Sequence, residues 1–198
     1  MRKLIVSMNV TIDGFVAGPD GGLSWHFDRW TQEMCHVQCE HLSKVDTILL
    51  GRNTYNVMAP YWMAAKSDIS YARDDIAFAH LMNSRQKIVV SDTVDELTWE
   101  NSKRMTGNLI GEVTRLKNMP GRDIITYGSI KLVTELLKSE LTDSHLLWLH
   151  PVLLEKGRRL FDKNSALVNM HLRDIKQFGS GVVLLKYDKD PLDHCLLV

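Results

Sequence analysis

The sequence carries no net charge, no cysteine-rich framework and no long apolar run, and each absence removes a class of protein. Its 24 Lys and Arg residues are balanced by 24 Asp and Glu residues. A protein that binds nucleic acid or an anionic membrane through general electrostatics carries a basic excess, so neither partner is expected. Three cysteines in 198 residues are too few, and odd in number, for the disulfide framework of a small secreted protein. After Met1-Arg2-Lys3, the apolar run from Leu4 to Val10 is interrupted by Ser7 and Asn9, and Asp13 closes it. That run is too short and too polar for a signal peptide, and no later stretch approaches the length of a membrane span. The ending Cys195-Leu196-Leu197-Val198 has the outline of a prenylation box. Asp188, Asp190 and Asp193, however, stand where such anchors carry basic residues. A cytoplasmic protein is expected.

What is present suits a globular chain, with 44% hydrophobic and 24% charged residues. At about 150 residues per domain, a single domain over residues 1–198 is expected, with 187–198 as a C-terminal tail. A chain of this size buries about 70% of its unfolded surface, so it needs no disulfide or structural metal. Period-2 and continuous apolar runs predict strands over 3–10, 47–50, 87–90, 123–127, 144–149, 168–172 and 181–187. Helical spacing predicts helices over 29–44, through Phe78 and Leu81, over 108–117, and after Ser129. Residues 60–75 read as a long connection. In the 29–44 helix, Trp30, Met34, Val37 and His41 share one face while Cys35, Cys39 and Leu42 share nearly the opposite one. One face suits the core and the other a partner subunit or a ligand. Cys35, His36, Cys39 and His41 crowd this helix, but only the two cysteines could reach one ion together, so no metal site is expected.

Three apolar strands end in small or hydroxyl-bearing clusters: Gly51-Arg52-Asn53-Thr54, Ser91-Asp92-Thr93 and Gly128-Ser129. In an open α/β sheet, ligands bind at the carboxyl ends of strands, where helix N-termini present unpaired N–H groups and favour anions. Glycine lets a phosphate approach the backbone, and Arg52 with the hydroxyls of Thr54, Ser91, Thr93 and Ser129 would donate to its oxygens. The pattern describes a nucleotide cleft. It is not a common one: G-x-G-x-x-G is absent, with Gly179 and Gly181 matching only its first half, and no G-x-x-x-x-G-K-[ST] occurs.

The run Ser7-Met8-Asn9-Val10-Thr11-Ile12-Asp13-Gly14-Phe15-Val16-Ala17 resembles the opening of the dihydrofolate reductase-like superfamily. More closely, it is similar to bacterial proteins related to the C-terminal reductase domain of the bifunctional riboflavin-biosynthesis deaminase/reductase. Gly51-Arg52-Asn53-Thr54-Tyr55 resembles the motif G-R-x-T-[YWF]. Val90-Ser91-Asp92-Thr93 resembles the strand-end serine motif, and Asp123-Ile124-Ile125-Thr126-Tyr127-Gly128-Ser129 the motif D-I-x-V-x-G-[GS]. Leu141 to Phe161 resembles the block L-x-D-E-x-x-L-x-x-x-P-V-x-L-G-x-G-x-x-L-F. The likeness runs from about residue 3 to residue 187. It departs at Asp143-Ser144, where the family has Asp-Glu, and at Glu155, where the family has the first glycine of its G-x-G turn.

This resemblance implies an α/β fold of three layers, α/β/α, with a mixed, mainly parallel central sheet and NADPH across its carboxyl edge. It implies that Gly51, Arg52, Asn53 and Thr54 hold the cofactor's phosphates, with Arg52 near the 2′-phosphate. Ser91 and Thr93 would meet the adenosine side, Tyr127-Gly128-Ser129 the pyrophosphate, and Val16 and Ala17 the nicotinamide. Asp13, Asp28 and Glu33 are the candidate proton donors, since a reductase needs an acid, best a buried one with a raised pKa. Among the aromatics near the first loop and the third strand, Trp25 and Tyr55 are candidates to stack on a flat substrate. The implied activity is NADPH-dependent reduction of a small heterocyclic substrate, first of the aminopyrimidine of riboflavin synthesis and second of dihydrofolate, in a homodimer. The reading from another class is a non-catalytic nucleotide-binding dimeric scaffold. A clear acid in the cleft favours the enzyme, and an apolar cleft without one favours the scaffold.

Overall fold

The structure, a computed structural model, describes residues 1–66, 73–93, 96–161 and 168–189, apart from the side chains of 73 and 74. Strands β1 (Leu4–Thr11) and β2 (Phe15–Ala17) lead to a one-turn helix α1 (Ser24–Phe27) and to α2 (Gln32–Ser43). Strand β3 (Val45–Gly51) runs straight into α3 (Arg52–Ala65), followed by α4 (Arg73–Ser84), β4 (Gln86–Val90) and β5 (Ser102–Arg104). Then come α5 (Leu109–Asn118), β6 (Asp123–Thr126), α6 (Ile130–Lys138), β7 (Ser144–His150), β8 (Arg158–Arg159), β9 (Met170–Gln177) and β10 (Val183–Lys189).

Eight strands form one sheet in the order β5-β4-β3-β6-β1-β7-β10-β9. Neighbours from β5 through β7 are parallel, and β10 lies antiparallel to both β7 and β9. This is the mixed, mainly parallel sheet that the sequence predicts. Alternation along β3 shows why it has three layers: Ile48 and Leu50 pack with Leu42, Tyr55, Phe78 and Met82 from α2, α3 and α4. Leu49, between them, packs with Val113, Leu116, Leu132 and Leu136 from α5 and α6.

Four expectations are corrected by the structure. The two apolar faces of α2 are both filled within the chain. Met34 and Val37 meet Trp148, Phe178 and Leu184, while Cys35 and Leu42 meet Phe78 and Met82 of α4. The second face therefore covers α4. The helix also starts later than residue 29, because the Thr31 side chain accepts from Met34 N–H at 3.3 Å and caps it. Residues 60–65 are helix, not connection: α3 continues through Pro60. A proline inside a helix costs about 3 kcal/mol, but Tyr55, Ala59 and Trp62 continue one apolar face into the core. At the other end of the chain β10 reaches Lys189, so the predicted tail from 187 opens as strand. Residues 190–198, with the prenylation-like ending, lie outside the described residues.

Candidate active site

Because β3, β4, β6, β1 and β7 point the same way, their carboxyl ends meet along one edge of the sheet. At its centre two strand-to-helix junctions touch. Gly51 N–H donates to the Gly128 carbonyl at 3.0 Å. A Cβ on Gly51 would fall 2.3 Å from Ser129 Oγ and 2.9 Å from Ser129 N, so only glycine fits there. Gly128 has φ +117°, and a Cβ on it would lie 3.1 Å from Thr54 Oγ1. The Gly128–Ser129 peptide is cis.

The helices that start at these junctions differ from α2 and α5. α2 and α5 are capped by the side chains of Thr31 and Asn108, which accept first-turn N–H groups. α3 and α6 begin at Gly51 and Ser129 with no side-chain cap. Their first-turn N–H groups and positive dipole ends are left to whatever lies at the sheet edge. Arg52, exposed on the first turn of α3, donates through its guanidinium to Thr93 Oγ1, and Thr93 N–H donates to Ser91 Oγ at 3.2 Å. Asn53 is exposed and Thr54 half-buried on the same turn. All three predicted strand ends thus form one continuous line. A backbone cradle that excludes a Cβ, two uncapped helices, a guanidinium and hydroxyls fit the phosphates of a nucleotide cofactor.

Other predicted residues lie elsewhere. Tyr55 is buried with its hydroxyl accepting from Trp99 N–H at 2.9 Å; it is a core residue and does not reach the cleft. Tyr127 turns its side chain into the same core, and burial of its hydroxyl raises its pKa. Only its backbone belongs to the strand end. Val16 packs with Met8 and Val10. The Ala17 carbonyl lies 2.2 Å from where a Cβ on Gly157 would be, as the β2–β8 ladder presses on this segment at the end of β1. Glu155, standing where the family has glycine, takes φ +61°.

None of the candidate acids is a buried carboxyl. Asp13 accepts from the Thr11 hydroxyl at 2.6 Å and from the N–H groups of Leu154 and Glu155 at 3.1 and 2.8 Å. The Thr11 hydrogen bond first, and then those of the backbone, hold its pKa below the ordinary carboxylate value. It is a clamp on the 154–155 turn, the opposite of the raised-pKa acid expected. Asp28 is exposed, and exposed Glu33 pairs with Lys176 at 3.2 Å.

The edge also contains residues that sequence reasoning missed. His150, at the end of β7, is 0% exposed, and its Nε2 lies 3.0 Å from Asn9 Oδ1 of β1. Trp25 of α1 meets the His150 ring edge to face at 5.2 Å, and the His26 ring lies at 6.0 Å. Burial pushes the His150 pKa down to about 4 and lowers that of His26, so both are neutral at pH 7. The polar alternation Ser7, Asn9, Thr11 in an otherwise apolar strand was the available signal. Its partner lies 141 residues away.

Residues 2–184 match the family model described as the RibD C-terminal domain. The uncharacterized protein YyaP of Bacillus subtilis (strain 168) is 31% identical over 186 residues, spanning 94% of each chain. A protein assigned to riboflavin biosynthesis from Shewanella sp. PV-4 has a fold similar at TM-score 0.73. It is 20% identical, over 95% of this chain and 99% of that one. Dihydrofolate reductase from Enterococcus faecalis, solved with NADP(H) and RAB-propyl, is similar at TM-score 0.61 and 12% identity, over 95% and 96%. At these identities the solved structures establish the fold, which is dihydrofolate reductase-like.

Proposed function

We propose, from the premise that this chain belongs to the RibD C-terminal domain family, that it is an NADPH-dependent reductase of a small heterocyclic substrate. The first choice of reaction resembles that of 5-amino-6-(5-phosphoribosylamino)uracil reductase, and the second is dihydrofolate reduction. The observation that carries this reading is the pair of uncapped helices, α3 and α6, meeting at Gly51 and Ser129 beside Arg52. The Enterococcus faecalis neighbour, solved with NADP(H), supports the choice of cofactor.

In this reading the first-turn N–H groups of α3 and α6 bind phosphate oxygens, and Gly51 and Gly128 let them approach. Arg52 leaves Thr93 to meet the 2′-phosphate, and Ser91 and Thr93 take the adenosine side. The β2 segment with Val16 and Ala17 walls the nicotinamide. Bound there, NADPH supplies a hydride to a C=N or C=O carbon, with the accompanying proton drawn from solvent. Solvent is invoked because Asp13 is held ionised and Asp28 and Glu33 are exposed.

That same lack of a buried acid among the described residues favours a second reading, a nucleotide-binding scaffold without turnover. Fluorescence titration tests the nucleotide site that both readings share. NADPH should bind the wild type and bind Arg52→Ala more weakly, with NADH binding nearly equal in both. Oxidation of NADPH with an aminopyrimidine or a pterin then distinguishes reductase from scaffold. Absence of binding to either nucleotide would sink both. A homodimer in the cytoplasm completes the proposal, and light scattering tests the dimer. No helix among the described residues is long and apolar enough to cross a membrane.

A further inference from the structure

The connection from β4 to β5 carries Ser91 and Thr93 at its start and Trp99 near its end. Among the described residues it is tied to the start of α3 twice. The Arg52 guanidinium donates to Thr93 Oγ1, and Trp99 N–H donates to the Tyr55 hydroxyl at 2.9 Å. Arg52 and Tyr55 are three residues apart on one helix, so both ties hold the connection against the same rigid element.

The two ties differ in kind. Arg52 and Thr93 are exposed, and a hydrogen bond open to water is exchanged at little cost. Tyr55 and Trp99 are 3% and 1% exposed, and neither can turn to water. Trp99 is itself fixed from the side of α4 and β4. Its Nε1–H donates to Asn83 Oδ1 at 2.7 Å, and the Lys87 ammonium lies over its ring at 4.7 Å. Loss of the Tyr55 hydroxyl would leave the Trp99 N–H a buried donor without a partner. A further contact with α3, Glu100 with Lys66 at 2.7 Å, lies at the far end of that helix and is open to solvent.

A nucleotide with a 2′-phosphate and one without it act differently on these ties. In the proposed cofactor site the 2′-phosphate of NADPH draws Arg52 off Thr93, and Tyr55 alone then holds the connection to the start of α3. NADH has no 2′-phosphate, so Arg52 stays on Thr93 and both ties persist.

We propose that Tyr55 is a positioning residue for the adenosine side of the cofactor site. Its hydroxyl, through Trp99 N–H, keeps the segment bearing Ser91 and Thr93 in place when NADPH takes Arg52 away. Tyr55 touches no cofactor atom and acts through the backbone that it pins. The inference rests on the nucleotide site of the preceding reading, and it makes the preference between NADPH and NADH depend on a core residue.

The test is a fluorescence titration of NADPH and NADH against wild type, Tyr55→Phe, Arg52→Ala and the double variant, with urea denaturation of each. Tyr55→Phe keeps the ring and removes only the hydroxyl. It should weaken NADPH about fivefold or more, the scale of one buried hydrogen bond, and NADH less than about twofold. A residue that only stabilises the fold would move both nucleotides alike. In Arg52→Ala the exposed tie is already absent, so there Tyr55→Phe should weaken NADH about fivefold or more as well. Equal losses for the two nucleotides in the wild-type background, or no loss for either, overturn the inference and leave the nucleotide site standing. So does an Arg52→Ala background in which Tyr55→Phe spares NADH. A wild type that binds neither nucleotide fells the site and this inference together. If Tyr55→Phe fails to fold, amide hydrogen exchange on the wild type decides. Trp99 N–H should stay protected in the NADPH complex, and exchange there as fast as in the urea-unfolded chain overturns the inference.

Discussion

At the amino edge of the sheet, where β1, β3, β4 and β6 begin, buried charge is tied down. Arg2, 7% exposed, places its guanidinium on Asp46, Thr47 and the Arg122 carbonyl. Lys117 reaches Asp143 at 2.6 Å and the Leu141 carbonyl at 2.8 Å. Fully buried Lys87 caps α4 through the carbonyls of Met82 and Asn83 and lies over the Trp99 ring at 4.7 Å. At the carboxyl edge the opposite holds. Helices α3 and α6 start without side-chain caps, and the buried Trp25 Nε1 and His150 Nδ1 have no partner among the described residues. A buried polar group without a partner costs about 1–3 kcal/mol. One end of the sheet thus ties its buried charge down, and the other leaves polar groups unpaired, which the proposed function assigns to a ligand.

The sharpest way to break this contrast is to fill the reserved space. Gly51→Val would drive a Cβ into Ser129 N, 2.9 Å away. We expect NADPH affinity to fall at least about 100-fold, with about 1–3 kcal/mol of stability lost to overpacking; fluorescence titration and urea denaturation read the two effects. Next comes the amino edge. Asp143→Ala strands the Lys117 ammonium and frees the Leu4 N–H, which donates to Asp143 at 2.7 Å. Because Asp143 is 29% exposed, the expected loss is about 2–3 kcal/mol, at the low end for a broken buried pair. NADPH affinity should not change, and a loss of affinity would mean the two edges are coupled. Arg52→Ala, on the exposed first turn of α3, should reverse that pattern. We expect roughly tenfold weaker NADPH binding, corresponding to about 1.4 kcal/mol, with stability within about 0.5 kcal/mol of wild type.

The contrast was legible in the sequence only where it rests on local pattern. Interior parallel strands are continuous apolar runs, so β3, β4 and β6 stand out, as do the Gly, Ser and Thr clusters that stop them. The resemblance built on those clusters is borne out by the family match over 2–184. What was not legible depends on partners far along the chain. Strands of two and three residues, β8 and β5, have no period to read. The side chains of Tyr55 and Tyr127 are adjacent to the cleft motifs but turn into the core. Asp13 looks like any loop acid until the 154–155 turn folds onto it. The pair Asn9 and His150 exists only through the β1–β7 register, in which Thr11 lies opposite His150.

His145 is an exception at the stable end, and it supplies the smallest and most discriminating prediction. It sits at the start of β7, 1% exposed, with both ring nitrogens unpartnered. Burial pushes its pKa down to about 4 from 6.5, although Asp143 and Asp188 favour its charge. The unfolded chain therefore takes up a proton below pH 6.5 that the folded chain refuses until about pH 4. The stability His145 permits is complete above pH 6.5 and is lost as the pH falls through that window. Replacing it by leucine removes two unpaired buried nitrogens and the titration together. We expect His145→Leu to gain about 1 kcal/mol at pH 7, and to lose about 2 kcal/mol less than wild type between pH 7 and pH 5. A residual slope should remain from His26, His41 and His150, whose pKa values burial also lowers. Urea denaturation at the two pH values measures both effects. If the slopes coincide, the ring takes up its proton in the folded chain as it does in the unfolded one, and burial does not hold it neutral. If the variant gains stability but also loses NADPH binding, the division between a stable edge and a binding edge does not hold along β7, the strand that joins them.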